Sequence, residues 1–258
     1  MIRATIGILA SQGGFDSDAQ AFFDRVDTAG GTLSDTEKAA VNQLVLDMKA
    51  DGIWSYMKAI YPMVGASAAA CAQNLRSSSF TGSFSSGWTF ASTGVKGNGT
   101  STFMDTNLSS NTSLSLNDLS LSIYSRTDSN IGGDIGDKNL TGGFSGIFIR
   151  LSNTFYGYLG EVNNISLSNL DARGFWTISR RSSTQVYFYK NGSAFGTNPK
   201  TSNSSSLNSG TMVIGQANNI FSDREYNFAS IGDGLTDTEA SDFYDAVQAF
   251  QTTLSRNV

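Results

Sequence analysis

The stretch FWTISRRSSTQVYFYKNGSAFGT, Phe175 to Thr197, decides how this chain is read. Val186 and Phe188 alternate with Tyr187 and Tyr189, a period of two that sends the two pairs to opposite faces of a strand. Asn191-Gly192 then suits a type I′ turn, because both residue types tolerate positive φ. The same period recurs in LSLSIYS (Leu119–Ser125), GIFIRLS (Gly146–Ser152), FYGYLGEV (Phe155–Val162), TMVIGQA (Thr211–Ala217) and YNFASIG (Tyr226–Gly232). Turn residues separate these runs and no long helical crossover intervenes, which predicts an antiparallel sandwich rather than a parallel sheet. LSLSIYS, with small polar residues between its apolar ones, reads as a strand with one buried face.

The flanks carry a different period. Ser17 and Gln20 suggest a capping box ahead of Ala21, Phe22 and Val26, and Ser34 and Glu37 a second ahead of Val41, Leu44, Val45 and Met48. GIWSYMKAIYPMVG (Gly52–Gly65) reads as a third, shorter apolar helix or turn with Ile53, Trp54, Met57 and Ile60 inward, closed by Pro62. At the other end Thr236 and Glu239 form a capping box before Phe243, Val247, Phe250 and Leu254, one apolar stripe expected to cap an edge or open end of the sandwich. LSDTE (Leu33–Glu37) and LTDTE (Leu235–Glu239) nearly repeat, which marks two helix starts and suggests that the helices pack together.

Composition narrows the chemistry. The chain has 258 residues, a formal charge of -5 and 15% charged residues, with no Lys/Arg cluster, so a nucleic-acid partner is not expected. Histidine is absent, which removes His-based hydrolase triads and His-ligated zinc. Cys71, alone in ASAAACAQ, reads as a buried inert thiol. No apolar run is long enough for a transmembrane helix, so no membrane insertion is expected. MIRATIGILASQGG reads as too weak for a secretory signal.

The hairpin at Phe175–Thr197 resembles the segment of laminin-G-like and concanavalin-like jelly rolls in which an aromatic strand and a Y-x-N-G turn precede a return strand. IGDGLTDTEASDFY (Ile231–Tyr244) is similar to their closing segment, and GVKGNGTSTFMDTNL (Gly94–Leu108) to an early strand. The whole order, from GIWSYMKAIYPMVG to AVQAFQTTLSR (Ala246–Arg256), resembles a family of bacteriophage virion proteins. That resemblance implies a mainly β protein, an antiparallel concanavalin-like jelly-roll sandwich with a helical N-terminal part (1–65) and a sandwich domain (66–258) ending in a helix. It further implies a non-enzymatic structural protein of the virion (capsid decoration, head fibre or tail-associated) that works among other virion proteins and as a homo-oligomer. A lectin-like module or host adhesin that contacts a host-surface glycan is the alternative, and a glycoside hydrolase the third reading.

Candidate site residues follow from chemistry. Sugar binding wants an aromatic platform beside amides and carboxylates, which points to Tyr156 and Tyr158 with Asn153, Glu161 and Asn163. Tyr187 and Tyr189 are a second aromatic pair; Trp88 and Trp176 read as core. Asp128, Asp134 and Asp137 in DSNIGGDIGDKNLTGG offer hard oxygen ligands for calcium, and some laminin-G-like domains bind sugar through such an ion. Asp223 and Glu225, two apart on an expected strand, are the pair to weigh for glycoside hydrolysis. Arg224 between them reads as part of a solvated turn or edge, and the acid patterns of the family's hydrolases are missing. GGDIGDKN lacks the order of a phosphate-binding loop.

Overall fold

The computed structural model describes residues 14–139, 143–161 and 165–258; the segment read above at residues 1–13 and the candidate Asn163 lie outside them. Two helices come first, α1 (Ser17–Thr28) and α2 (Asp35–Ala50), then a 3-10 turn (Ile53–Tyr56), β1 (Met57–Tyr61) and the short α3 (Ala68–Cys71). β2 (Ser83–Phe84), β3 (Thr89–Ala91), β4 (Gly94–Lys96), β5 (Met104–Ser109), a turn of helix α4 (Ser110–Ser113), β6 (Leu119–Ser125) and β7 (Ile135–Asp137) follow. Next are β8 (Phe144–Leu151), β9 (Thr154–Glu161), β10 (Ile165–Ser168), β11 (Gly174–Arg180), β12 (Gln185–Lys190), β13 (Ser193–Ala194) and β14 (Lys200–Thr201). β15 (Thr211–Ile214), the small hairpin β16 (Gln216–Ala217) and β17 (Ile220–Phe221), β18 (Glu225–Gly232) and α5 (Asp237–Thr253) complete the chain.

The described strands form two main antiparallel sheets. The first runs β13-β12-β11-β6-β18-β4-β3, with β1 also paired to β18 and β14 to β12; the second runs β10-β9-β8-β7-β15-β5-β2. Between them Leu119, Leu121, Ile123, Trp176 and Ile178 of the first sheet meet Ile147, Ile149, Phe155, Leu159, Met212 and Ile214 of the second, all buried. The alternation in the opening stretch is met: Val186 and Phe188 enter this core, and Tyr187 and Tyr189 point the other way. Asn191 and Gly192 have φ of 51° and 70° and form the two-residue turn between Lys190 and Ser193. Trp176 is wholly buried and Trp88 nearly so.

The chain differs from the sequence reading in how the helices lie. α5 does not cap an end of the sandwich. Its Phe243, Val247 and Phe250 pack with Val41, Leu44 and Val45 of α2 against Tyr124, Phe175 and Phe228 on the outer face of the first sheet. Phe243 sits edge-on to Phe175 at 5.3 Å and to Phe228 at 5.9 Å, favoured geometries for ring quadrupoles. The architecture is therefore three layers, helices on sheet on sheet, and the two L-[ST]-D-T-E helices do lie together. Both their capping boxes form, Ser34 with Glu37 and Thr236 with Glu239. In α1 the cap is Asp16 rather than Ser17; its carboxylate accepts from the Asp18 amide and pairs with Lys49 at 2.7 Å.

The helical layer also changes the reading of LSLSIYS. All seven residues are buried, because the face carrying Ser120, Ser122 and Tyr124 lies under the helices. Each hydroxyl there is satisfied: Ser122 shares a 2.9 Å hydrogen bond with Thr177, and Ser120 donates to the Asp233 carbonyl at 2.7 Å. Nor is MKAIY helical. It forms β1, paired with β18, so the sheet begins before residue 65 and the helical part shares its core with the sandwich. Apolar residues come in both short helices and fully buried strands, and periodicity alone does not separate the two. Cys71 is buried against the Val64 carbonyl, and desolvation pushes its thiol up to about 12.

Candidate functional site

With helices over the first sheet, the broad face left uncovered by them is the outer face of the second. Strand parity sets what it carries. Phe155 and Leu159 of β9 point into the sandwich, so Tyr156 and Tyr158 point out. On one side β8 contributes Phe144 and Phe148, buried beneath them, with Phe148 opposite Tyr156 in the ladder. Tyr158 meets Phe144 edge-on at 5.0 Å and Phe148 at 6.0 Å, and Tyr156 meets Phe148 at 6.4 Å. On the other side edge strand β10 sets Ser166 opposite Tyr156 and Ser168 opposite Thr154, both serines exposed. Ala217, on the β16–β17 hairpin, closes the cluster from the side of β7.

Polar groups gather at one end of this strip. Ser152 and Asn153, with φ of 54° and 62°, turn β8 into β9. Arg150 donates from Nε and Nη2 to Asn153 Oδ1 at 3.2 and 2.7 Å, and from Nη1 to Asp128 at 2.6 Å. Burial works to raise the Asp128 carboxyl, but the Ala172 amide and Arg150 outweigh it and hold the group below the usual carboxylate range.

The structure thus brings Tyr156, Tyr158 and Asn153 to one face, and it does not bring Glu161 with them. Glu161 is buried at the end of β9, 3.7 Å from Arg180, and accepts from the Leu159 amide. Burial pushes its carboxyl up to about 7 against the pull of Arg180. Tyr187 and Tyr189 belong to the helical side; Tyr189 is buried and donates to Asp237 at 2.6 Å. Ser166, Ser168, Phe144 and Phe148 were missed as site residues; the alternation of ISLS and of FSGIFIR was the available signal.

The three aspartates do not form a calcium site. Asp134 Oδ1 accepts from Arg224 Nη1 at 2.6 Å and from the Tyr226 hydroxyl at 2.5 Å, and Oδ2 from the Ile149 amide at 2.6 Å. Asp137 is buried between the Ser110 hydroxyl and the Ser145 amide, and desolvation pushes it up to about 7. A cation beside Arg224 would meet a like charge, and among the described residues no three acidic, cysteine or histidine side chains converge to hold a metal. Arg224 is likewise no solvated turn residue: it is fully buried and also donates to the Ser129 and Arg150 carbonyls. Glu225 is held by Arg126 at 3.0 Å and by the Thr93 hydroxyl, while Asp223 lies beside Gly99 in the loop before β18. A cavity of about 520 Å³ lined by Thr32, Ser34, Glu37, Gly65, Thr253 and Ser255 belongs to the helical layer, and the Glu37 carboxylate there is taken up by Ser34 and the Gly65 amide.

No protein-family model matches the sequence, and no curated protein is detectably similar to it. Solved structures are. The receptor-binding domain of botulinum neurotoxin D superposes with a TM-score of 0.53 at 10% identity, over 74% of this chain and 53% of that one. A Trypanosoma rangeli sialidase in complex with sialic acid superposes with a TM-score of 0.52 at 8% identity, over 79% of this chain and 38% of that one. The chain therefore spans about half of the toxin domain's length and less of the sialidase's. At such identities the likeness is one of fold. The chain is an antiparallel β-sandwich of the concanavalin-like kind, with a helical layer and a C-terminal helix added to it.

Proposed function

We propose that this chain is a non-enzymatic binding module that holds a glycan on the outer face of its second sheet. The observation that carries this reading is the strip of Tyr156 and Tyr158 over Phe144 and Phe148, flanked by the exposed hydroxyls of Ser166 and Ser168 and by Asn153. Rings that stack on the apolar face of a sugar, beside groups that pair with its hydroxyls, are what carbohydrate recognition requires. Two proteins of similar fold support it, one a receptor-binding domain and one a sialidase in complex with sialic acid. Of the two carboxylates weighed for hydrolysis, Glu225 is held in an ion pair with Arg126, and Asp223 lies beside Gly99 in the loop before β18. A glycan array probed with the whole chain tests the reading: bound glycans lost on Tyr156→Ala uphold it, and an array with no retained glycan overturns it.

We further propose that the module works as a structural component of a bacteriophage particle, on the resemblance in motif order described above. Its experiment is separate. Purified particles should contain the chain at fixed stoichiometry, and its absence from intact particles would end that part of the reading.

A further inference from the structure

We infer that the glycan held by this face is neutral rather than acidic, a conclusion that rests on the glycan-binding reading of the same strip. Acidic sugars are recognised through cationic side chains whose charge is not already balanced, above all a bidentate arginine. Arg150 is the single cation in the sequences of β8, β9 and β10, and it is already paired with an acid. Nε and Nη2 go to Asn153 Oδ1, and Nη1 goes to Asp128, whose carboxylate cancels the charge. The remaining groups of the strip are phenol rings and the hydroxyls of Thr154, Ser166 and Ser168, none of which carries a charge. Over longer range the chain's formal charge of -5 repels anions.

The arrangement also separates two contributions to selectivity. Ring stacking and hydroxyl pairing favour a sugar without regard to its charge. The Arg150–Asp128 pair withholds the one cation that would reward a carboxylate or sulfate. Asp128→Asn keeps an acceptor oxygen for the Ala172 amide and removes the neutralising charge, so the variant should gain acidic ligands without losing neutral ones.

The test uses the whole chain on an array that pairs neutral oligosaccharides of glucose, galactose and N-acetylglucosamine with sialylated, sulfated and uronic-acid counterparts. Neutral members should bind at least roughly tenfold more tightly than their acidic partners, and Asp128→Asn should narrow that ratio while leaving neutral binding in place. A retained set dominated by acidic glycans, or a ratio that Asp128→Asn leaves unmoved, overturns the inference while the glycan reading stands. An array with no retained glycan overturns both.

Discussion

Arg224 and Asp134 meet at 2.6 Å with both side chains wholly removed from solvent. The pair joins the loop before β7 to the start of β18, and Tyr226, Ile149 and two backbone carbonyls take up most of its remaining hydrogen-bonding capacity. Coulomb attraction strengthens inside a protein, and the cost of desolvating two ions offsets much of it.

Breaking that pair from one side is therefore more costly than its net worth. Arg224→Met should destabilise the fold by about 3–5 kcal/mol, because Asp134 is left charged and buried. Urea unfolding measures this; a midpoint within experimental error of the parent would remove the pair from the account of stability.

Glu161 gives a pH dependence of defined sign. Its folded carboxyl is raised from 4.5 to about 7, so the folded state binds this proton more tightly than the unfolded chain does. The stability it contributes is full below pH 4.5 and is lost as pH rises through about 7. Glu161→Gln should flatten the slope of stability against pH across that window. An unchanged slope in denaturant titrations at a series of pH values would contradict the assignment.

Phe243 joins the helical layer to the sheet, so Phe243→Ala should cost about 3–5 kcal/mol through the cavity it leaves between Phe175 and Phe228. Thr236→Ala, which removes only a capping box, should cost about 1 kcal/mol. Thermal melts that rank the two in the opposite order would argue against the layer as a shared core.

Gly192 has φ of 70° and its position for a Cβ lies 2.9 Å from the Tyr244 Cβ. Gly192→Val should therefore destabilise by more than about 1 kcal/mol, through backbone strain in the turn and collision with α5. A neutral effect on the melting temperature would show that the turn and the helix yield to each other.

Tyr156→Ala removes ring area from the strip and leaves the sandwich core alone. Glycan binding should weaken by roughly tenfold or more, with a far smaller loss of stability than Phe243→Ala. Equal loss of both, compared by array and by thermal melt, would make Tyr156 a packing residue.

Much of this was legible because strand parity is a strictly local signal. VYFYK assigned Val186 and Phe188 to the interior, and Asn191-Gly192 fixed the turn after it. The capping boxes at Ser34–Glu37 and Thr236–Glu239 could also be read, since each depends on residues three apart. What the sequence hid was long-range. Nothing near LSLSIYS reveals that helices arriving from both flanks cover its serine face. Arg224 resembled a surface residue because its partner lies ninety positions away. Among the candidate sugar contacts, Tyr156, Tyr158 and Asn153 share a face, while Glu161 is drawn inward by Arg180, again a partner on a different strand.

The helical layer gives the molecule a back and a front. One side of the sandwich is sealed by the chain's own helices, with Arg256 near their end donating to the Pro62 and Met63 carbonyls and locking that cover to the segment after β1. The aromatic strip and the helical cover thus lie back to back, separated by the full thickness of the sandwich.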